Sequence, residues 1–283
     1  MISFLCKISG VSRSGYYNYF SFVASERRLQ RENLDTKVKE NILKAIKFKN
    51  RKKGARQIKM TLQRQLKIVY NLKRIRRIMK KYKIICPIRK ANPYKMMLKA
   101  TQEHSVLPNL LNRNFKQGIP GKVLLTDITY LYYGKGQKAY LSTILDSSTN
   151  EILAYNVSNR LTLDLATDTL FKLRKNNRVL LAEGAFIHSD QGSHYTSPTF
   201  QKHVKKLGLK QSMSRRGNCW DNALQESFFG HFKDEANIKQ CNTLDELKKE
   251  IRNYMKYYNY FRYQWKLKKM SPVEYRNHLL CVA

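Results

Sequence analysis

Negative charge is what this chain has least of. Asp and Glu number 20 against 55 Lys and Arg in 283 residues, a formal charge of +35. Such an imbalance repels itself in a compact state and argues against an ordinary small-molecule enzyme, so the natural partner is a polyanion. Cysteine is scarce too. Cys6, Cys86, Cys219, Cys241 and Cys281 are scattered, odd in number and include no Cys-x-x-Cys pair, which speaks against a disulfide framework or a zinc cage and fits a reducing cytoplasm. No apolar run reaches 18 residues and no signal-peptide pattern is present, so membrane residence is not expected. Of only six prolines, four (Pro87, Pro93, Pro108 and Pro120) fall within residues 87–121, and that stretch, poor in periodicity, reads as a linker.

The positive charge is unevenly placed. Residues 1–120 hold 30 Lys/Arg and 5 Asp/Glu, whereas residues 121–283 hold 25 and 15. Binding is therefore concentrated in the first part. There Leu34, Val38, Ile42 and Ala45 recur at helical spacing, and Ile58, Leu62 and Leu66 continue the pattern after a break around Lys52-Lys53-Gly54. Asn71 can cap a third helix whose apolar line is Leu72, Ile75, Met79 and Tyr82. Its other faces carry Lys73, Arg74, Arg76, Arg77, Lys80 and Lys81, either a solvated cationic surface or a helix laid along phosphates. The regional charge favours DNA, and Lys52, Lys53 and Arg56 join the candidate contacts. Upstream, FLCKISGVSRSGYYNYF (4–20) reads as two small helices with a turn or cap at Ser12-Arg13-Ser14-Gly15. It is either the remnant of a DNA-binding arm or a segment packing its Tyr and Phe on the body.

Beyond the linker the pattern changes to VLLTDITYLYY (123–133), AYLSTILDSS (139–148) and EILAYNVSN (151–159), β-rich runs separated by turn residues and read as three antiparallel strands. Residues 162–177 read as a helix, AFIH (185–188) as a short buried strand and 197–209 as another helix, giving an α/β class with a mixed sheet. Asp127 interrupts the first strand, where an ionised carboxylate is costly unless paired or bound to a metal. Asp190 follows the later strand, at the kind of sheet edge where open α/β folds bind ligands. After the loop SRRGNCWDN (214–222), Asn222-Ala-Leu-Gln225 has the form of a capping box, and Glu226 lies in the first turn of the helix it opens. Leu224, Phe228 and Phe232 pack one side of that helix, so Glu226 can face the sheet.

Taken together, TDITY (126–130), HSDQG (188–192) and DNALQESFFGHFK (221–233), with 35 residues between Asp190 and Glu226, resemble the Asp-Asp-Glu transposase/integrase superfamily. More narrowly, the chain resembles the second-reading-frame transposase subunit of bacterial insertion sequences of family three. The likeness extends to GARQIK (54–59) and YYNYFRYQWKLKKMSPVEYR (257–276). It implies a ribonuclease-H-like catalytic core in which Asp127, Asp190 and Glu226 are the catalytic, metal-binding carboxylates of a DNA transposase. Such hard oxygen ligands suit Mg²⁺ or Mn²⁺, and two ions roughly 3.5–4 Å apart can hold both oxygens of a phosphoryl displacement. The implied partners are double-stranded DNA at the element's ends and target, further copies of the chain, and the first-reading-frame product, fused or associated, in a nucleoid setting.

On the Glu226 helix, Lys233 at i+7 shares the carboxylate's face, where related integrases hold the DNA end; Gly230 at i+4 offers no side chain. Arg215 and Arg216 in the preceding loop are candidate phosphate contacts. His188 and His194 flank Asp190, but histidine is a poor Mg²⁺ ligand, so His188, like Asn222 beside Glu226, is read as hydrogen-bonding support or structure. Asp146 reads as a turn residue. Tyr254, Tyr257, Tyr258 and Phe261 read as a helix face on the core. Two departures stand out: Leu124 where the family commonly has Trp, and Leu224 where it often has Pro. The expected organisation is a helical segment at 1–25, a helix-turn-helix-like DNA-binding region at 26–86, the linker at 87–121, the core at 122–240 and a helical extension at 241–283. A nuclease of the same fold lacking strand transfer, or a non-catalytic DNA-binding descendant, remain the alternatives.

Overall fold

The computed structural model describes residues 1–86, 118–176, 179–214 and 222–282. The chain divides into two compact units, Met1–Pro87 and Ile88–Ala283.

In the first unit, α1 (Ile2–Ile8) and α2 (Arg13–Phe20) are joined at Ser12, whose hydroxyl accepts from Gly15 N at 3.0 Å. This is an N-cap that satisfies an otherwise orphaned donor. Tyr17, Tyr19 and Phe20 are exposed, with the Arg28 guanidinium 3.9 Å above the Tyr19 ring. Next come α3 (Phe22–Lys47), α4 (Ala55–Gln65) and α5 (Leu72–Lys81). Val38, Ile42 and Ala45 from α3, Ile58 and Leu62 from α4, and Ile75, Ile78 and Met79 from α5 form the core. Asn71 caps α5 as expected, accepting from Lys73 N at 3.0 Å.

Two apolar expectations fail here. Leu34 is 56% exposed and Leu66 38% exposed. In place of Leu34, the face turned inward carries Asp35, whose carboxylate takes both Arg77 nitrogens at 2.9 and 2.6 Å and Lys81 Nζ at 2.9 Å. These cations hold the Asp35 carboxyl well below the usual range. Lys53 also departs from expectation. It is buried, and its ammonium donates to the carbonyls of Ile46, Arg51 and Phe48 where α3 ends. A lysine that closes the open carbonyls of a helix terminus is not available to DNA.

In the second unit, β1 (Val123–Tyr133), β2 (Gln137–Asp146) and β3 (Ile152–Ser158) form the antiparallel meander, followed by α6 (Leu163–Lys175). Then β4 (Phe186–Ser189) runs parallel to β1, and the short α7 (Ser193–Thr196) and α8 (Pro198–Lys206) lead to β5 (Lys210–Met213), parallel to β4. The sheet order is β3-β2-β1-β4-β5. The chain continues through α9 (Ala223–Glu235), α10 (Leu244–Phe261) and α11 (Pro272–Val282).

Alternation along β1 sorts the core into two layers. Val123, Leu125, Leu131 and Tyr133 face α9 and α10, meeting Phe228, Phe232, Tyr254 and Tyr258. Leu124 faces α6 and α8, meeting Leu170 and Phe200. Leu124 is therefore fully buried, so an apolar residue suffices where the family commonly has Trp. Helix α10 is half of this core rather than an appendage, and Tyr254, Tyr257 and Tyr258 are all buried.

The expected linker, 87–121, lies outside the described residues up to 117. Its last four residues, however, belong to the core. Gly121 N donates to Asp146 Oδ2 at 2.8 Å, and Ser148 Oγ donates to Ile119 O at 3.0 Å. A Cβ on Gly121, at φ +75°, would stand 2.1 Å from the Leu180 carbonyl oxygen, so glycine alone fits. Asp146 also accepts from Ser148 N at 2.8 Å and is the turn residue it was expected to be.

Candidate active site

The first two carboxylates meet through strand register. β1 and β4 are parallel neighbours in which Leu125 pairs with His188. Asp127 and Asp190 each stand two residues further along, so period-two alternation carries both past the end of the paired stretch on the same side. Asp127 is partly buried and accepts from Ile128 N at 2.7 Å. Asp190 is exposed and accepts from Gly192 N at 2.9 Å. A Cβ on Gly192 would lie 2.9 Å from Asp190 Oδ1, which explains the glycine of HSDQG as room for the carboxylate to take that amide.

The third carboxylate arrives on α9. The expected capping box does not form: Asn222 makes no side-chain cap, although it is buried, and Gln225 turns inward instead. The Gln225 amide donates to the Thr143 hydroxyl on β2, and Thr143 is the register partner of Asp127. The fully buried Gln225 thus ties the first turn of α9 to the sheet beside Asp127, and Glu226 is the next residue, exposed.

Electrostatics report the convergence. Burial pushes the Asp127 carboxyl up to about 7, with further upward push from the charges of Asp190 and Glu226; the Ile128 amide and Lys233 act the other way. Three acids and one lysine thus share a neighbourhood. On the opposite face of the sheet, burial and the charges of Asp127 and Asp190 hold the Tyr195 phenol well above its ordinary range, so it is neutral.

His188 is fully buried and its Nδ1 lies 2.9 Å from Ser212 Oγ, across the β4–β5 pair. That contact ties β4 to β5 directly beneath Asp190. Arg215 and Arg216 fall outside the described residues. Of the other candidate cations, Lys52, Arg56, Lys73, Arg76 and Lys80 are exposed and Arg74 is half-buried. Arg77 is committed to Asp35.

Three features of the site were not read from sequence. One is the Gln225–Thr143 tie, whose signal was masked by the capping-box pattern. Another is the buried Tyr195. The third is at the far end of α9, where the Arg262 Nε and Nη2 donate to Glu235 at 2.8–3.0 Å and Tyr254 OH donates to it at 3.1 Å. This pair fixes α9 to α10 and gives Arg262 its role.

Family models match both the helical region and the sheet-bearing part of the chain. Residues 118–219 and 226–280 each match an integrase core domain, and residues 33–92 match an HTH-like domain. Over 96% of its length the chain is 32% identical to the insertion element IS600 uncharacterized 31 kDa protein of Shigella sonnei, covering 97% of it. A second relative, the putative transposase InsK for insertion sequence element IS150 of Escherichia coli, is 32% identical over 96% of this chain and 92% of its own. The chain belongs to the insertion-sequence transposases.

This transposase is also 27% identical to transposase InsF for insertion sequence IS3A of Escherichia coli, over 98% and 94% of the two chains. Among solved structures it is similar to a simian T-cell lymphotropic virus intasome, with a TM-score of 0.47, 16% identity and coverage of 73% and 67%. It is likewise similar to the HTLV-2 integrase catalytic core domain in complex with magnesium, with a TM-score of 0.42, 17% identity and coverage of 56% and 97%. The transposase has a ribonuclease-H-like integrase core preceded by a helical HTH-like region, and it is a polynucleotidyl transferase that acts on DNA. No described helix is long and apolar enough to cross a membrane.

Proposed function

We propose that Asp127, Asp190 and Glu226 are the carboxylates on which this transposase carries out strand cleavage and strand transfer with Mg²⁺ or Mn²⁺, two ions in the working site. The observation that supports this most is the elevated Asp127 carboxyl: burial and two neighbouring acids make its ionised form costly, and a cation relieves that cost. The donor set is all hard oxygen and fits such ions. Asp127, Asp190 and Glu226 would together hold such ions, the charge of Glu226 already reaching Asp127. The bound ions supply charge neutralisation and activation of the attacking oxygen. Within the chain, Asp127 and Asp190 would hold those ions, Gln225 holds the turn that carries Glu226 against the sheet, and Lys233 attracts the DNA end.

In this reading the exposed Lys52, Arg56, Lys73, Arg76 and Lys80, with Arg74, contact phosphates, while residues 87–117 connect the DNA-binding part to the core. Several copies assemble on paired element ends, with the first-reading-frame product fused or bound, at the nucleoid. The test is a strand-transfer assay with Mg²⁺ on DNA carrying the element's ends, comparing wild type with Asp190→Asn. Joined products from wild type alone are expected. Equal joining by Asp190→Asn would remove Asp190 from the site, and cleavage without joining by wild type would favour a nuclease or a missing fusion partner.

A further inference from the structure

Edge strand β3 and helices α6 and α10 enclose an open groove of about 750 Å³ within the second unit, sharing no lining residue with the carboxylate site. One wall is α10, where Lys248, Arg252 and Lys256 recur every four residues, a spacing of about 6 Å along the helix. Lys172 of α6 also lines the groove. All four side chains are exposed. Burial, and then repulsion from Lys248, lower the Lys172 ammonium's pKa against the opposing pull of Asp168, so the cations of α6 and α10 act on each other. Arg252 reaches the Tyr155 hydroxyl on β3.

Counter-charge is thin in the groove. Glu151, its lining carboxylate, accepts from Arg276 Nη1 at 2.8 Å. Asp245 lies 3.5 Å from Lys248. Among the described residues, Lys172, Arg252 and Lys256 have no carboxylate within ion-pair distance. Like charges gathered in a concavity repel until an anion enters, and a row repeating every ~6 Å suits an extended polyanion better than one compact anion.

Two polyanions compete: a nucleic-acid backbone, and an acidic peptide added as a further strand on β3. Strand addition needs free edge groups. The Asn259 side chain already accepts from Ile152 N at 3.0 Å and donates to Ile152 O at 2.9 Å, and Asn176 Nδ2 donates to Leu153 O at 2.9 Å. The edge is closed at that end, whereas the cations remain outward.

We propose that this groove is a second DNA-contact surface, seating the phosphodiester backbone of duplex outside the bonds being cut or joined. It stands whether or not the three carboxylates are the catalytic set, because its readout is binding. The test uses the full chain and a fluorescent duplex of random sequence, titrated with salt, with melting followed by circular dichroism. Lys248→Ala/Arg252→Ala/Lys256→Ala is compared with Lys202→Ala/Lys205→Ala/Lys206→Ala, which removes equal charge from α8. Each lost phosphate contact flattens the log–log salt slope by about 0.9, so the groove variant should lose about 2–3 and the control far less. If the triple variant melts early, Lys256→Gln alone should still lose about 0.9. Equal loss in both triples would overturn the proposal in favour of bulk charge. An unchanged slope would also overturn it: with lost poly-glutamate binding it would point to an acidic protein, and with lost self-association to a contact between copies.

Discussion

Helix α9 carries an acid near each end, in opposite surroundings. Glu235 is buried at the C-terminal end against the Arg262 guanidinium and the Tyr254 hydroxyl, every recorded neighbour favouring its charge. Glu226, near the N-terminal end, is exposed and adds its charge to that of Asp190 on Asp127. The satisfied acid locks helix to helix; the crowded acids need something from outside. The first unit repeats the contrast with cations. Lys53 is spent on carbonyls and buried, whereas Lys80 is exposed without a recorded carboxylate partner among the described residues. Buried, paired charge builds the fold, and exposed charge is left for ligands.

Four experiments test that division. Glu226→Gln is expected to cost several kcal/mol of transition-state stabilisation, on the order of 10³-fold in cleavage rate, with DNA affinity and melting temperature unchanged. A comparable loss of folding would make Glu226 structural. Arg262→Met leaves Glu235 buried without its cation and should lower unfolding free energy by about 3–5 kcal/mol, read by urea titration. Adding Glu235→Gln should restore most of it, and no recovery would mean that Arg262 acts by packing alone.

The third concerns pH in the absence of divalent ions. Between about 4 and about 7 the folded chain keeps a proton on Asp127 that the unfolded chain, at an ordinary carboxyl value of 3.8, has released. Stability therefore falls as pH rises through that window and levels off above it, with a slope of at most about 1.4 kcal/mol per unit from this group. Calorimetry of Asp127→Asn should lack that component, and an identical slope would contradict the electrostatic account. Last, Lys53→Ala should cost about 1.5–3 kcal/mol in stability, as for charged hydrogen bonds, with an unaltered salt slope for DNA. Lys80→Ala should leave stability alone and flatten that slope by about 0.9. The reverse pattern would erase the distinction drawn between them.

Much of this was legible because the informative elements are locally coded. The apolar run 123–133 is β1 to the residue, and the spacing of Ile58, Leu62 and Ile75 marks the helical core. β5 was missed because Lys210–Met213 is four residues of largely polar sequence whose strand character comes from pairing with β4. Sequence brought Asp127, Asp190 and Glu226 forward as candidates, but not the means of bringing them together, since Leu125 opposite His188 and Gln225 on Thr143 are contacts between distant segments. The capping-box pattern at Asn222 misled for a related reason: tertiary packing offered Gln225 a better partner than its own helix end. On α10 the tyrosine stripe drew attention to the buried face, and the cations on the other face form a groove only when α6 stands opposite.

The pairing of Leu125 with His188 also says what kind of change the site tolerates. Strand side chains alternate strictly, so inserting or deleting one residue between Leu125 and Asp127, or between His188 and Asp190, would swing one aspartate to the far side of the sheet with its chemistry untouched. In these two short segments the count of residues, and not only their identity, decides on which side of the sheet each carboxylate stands.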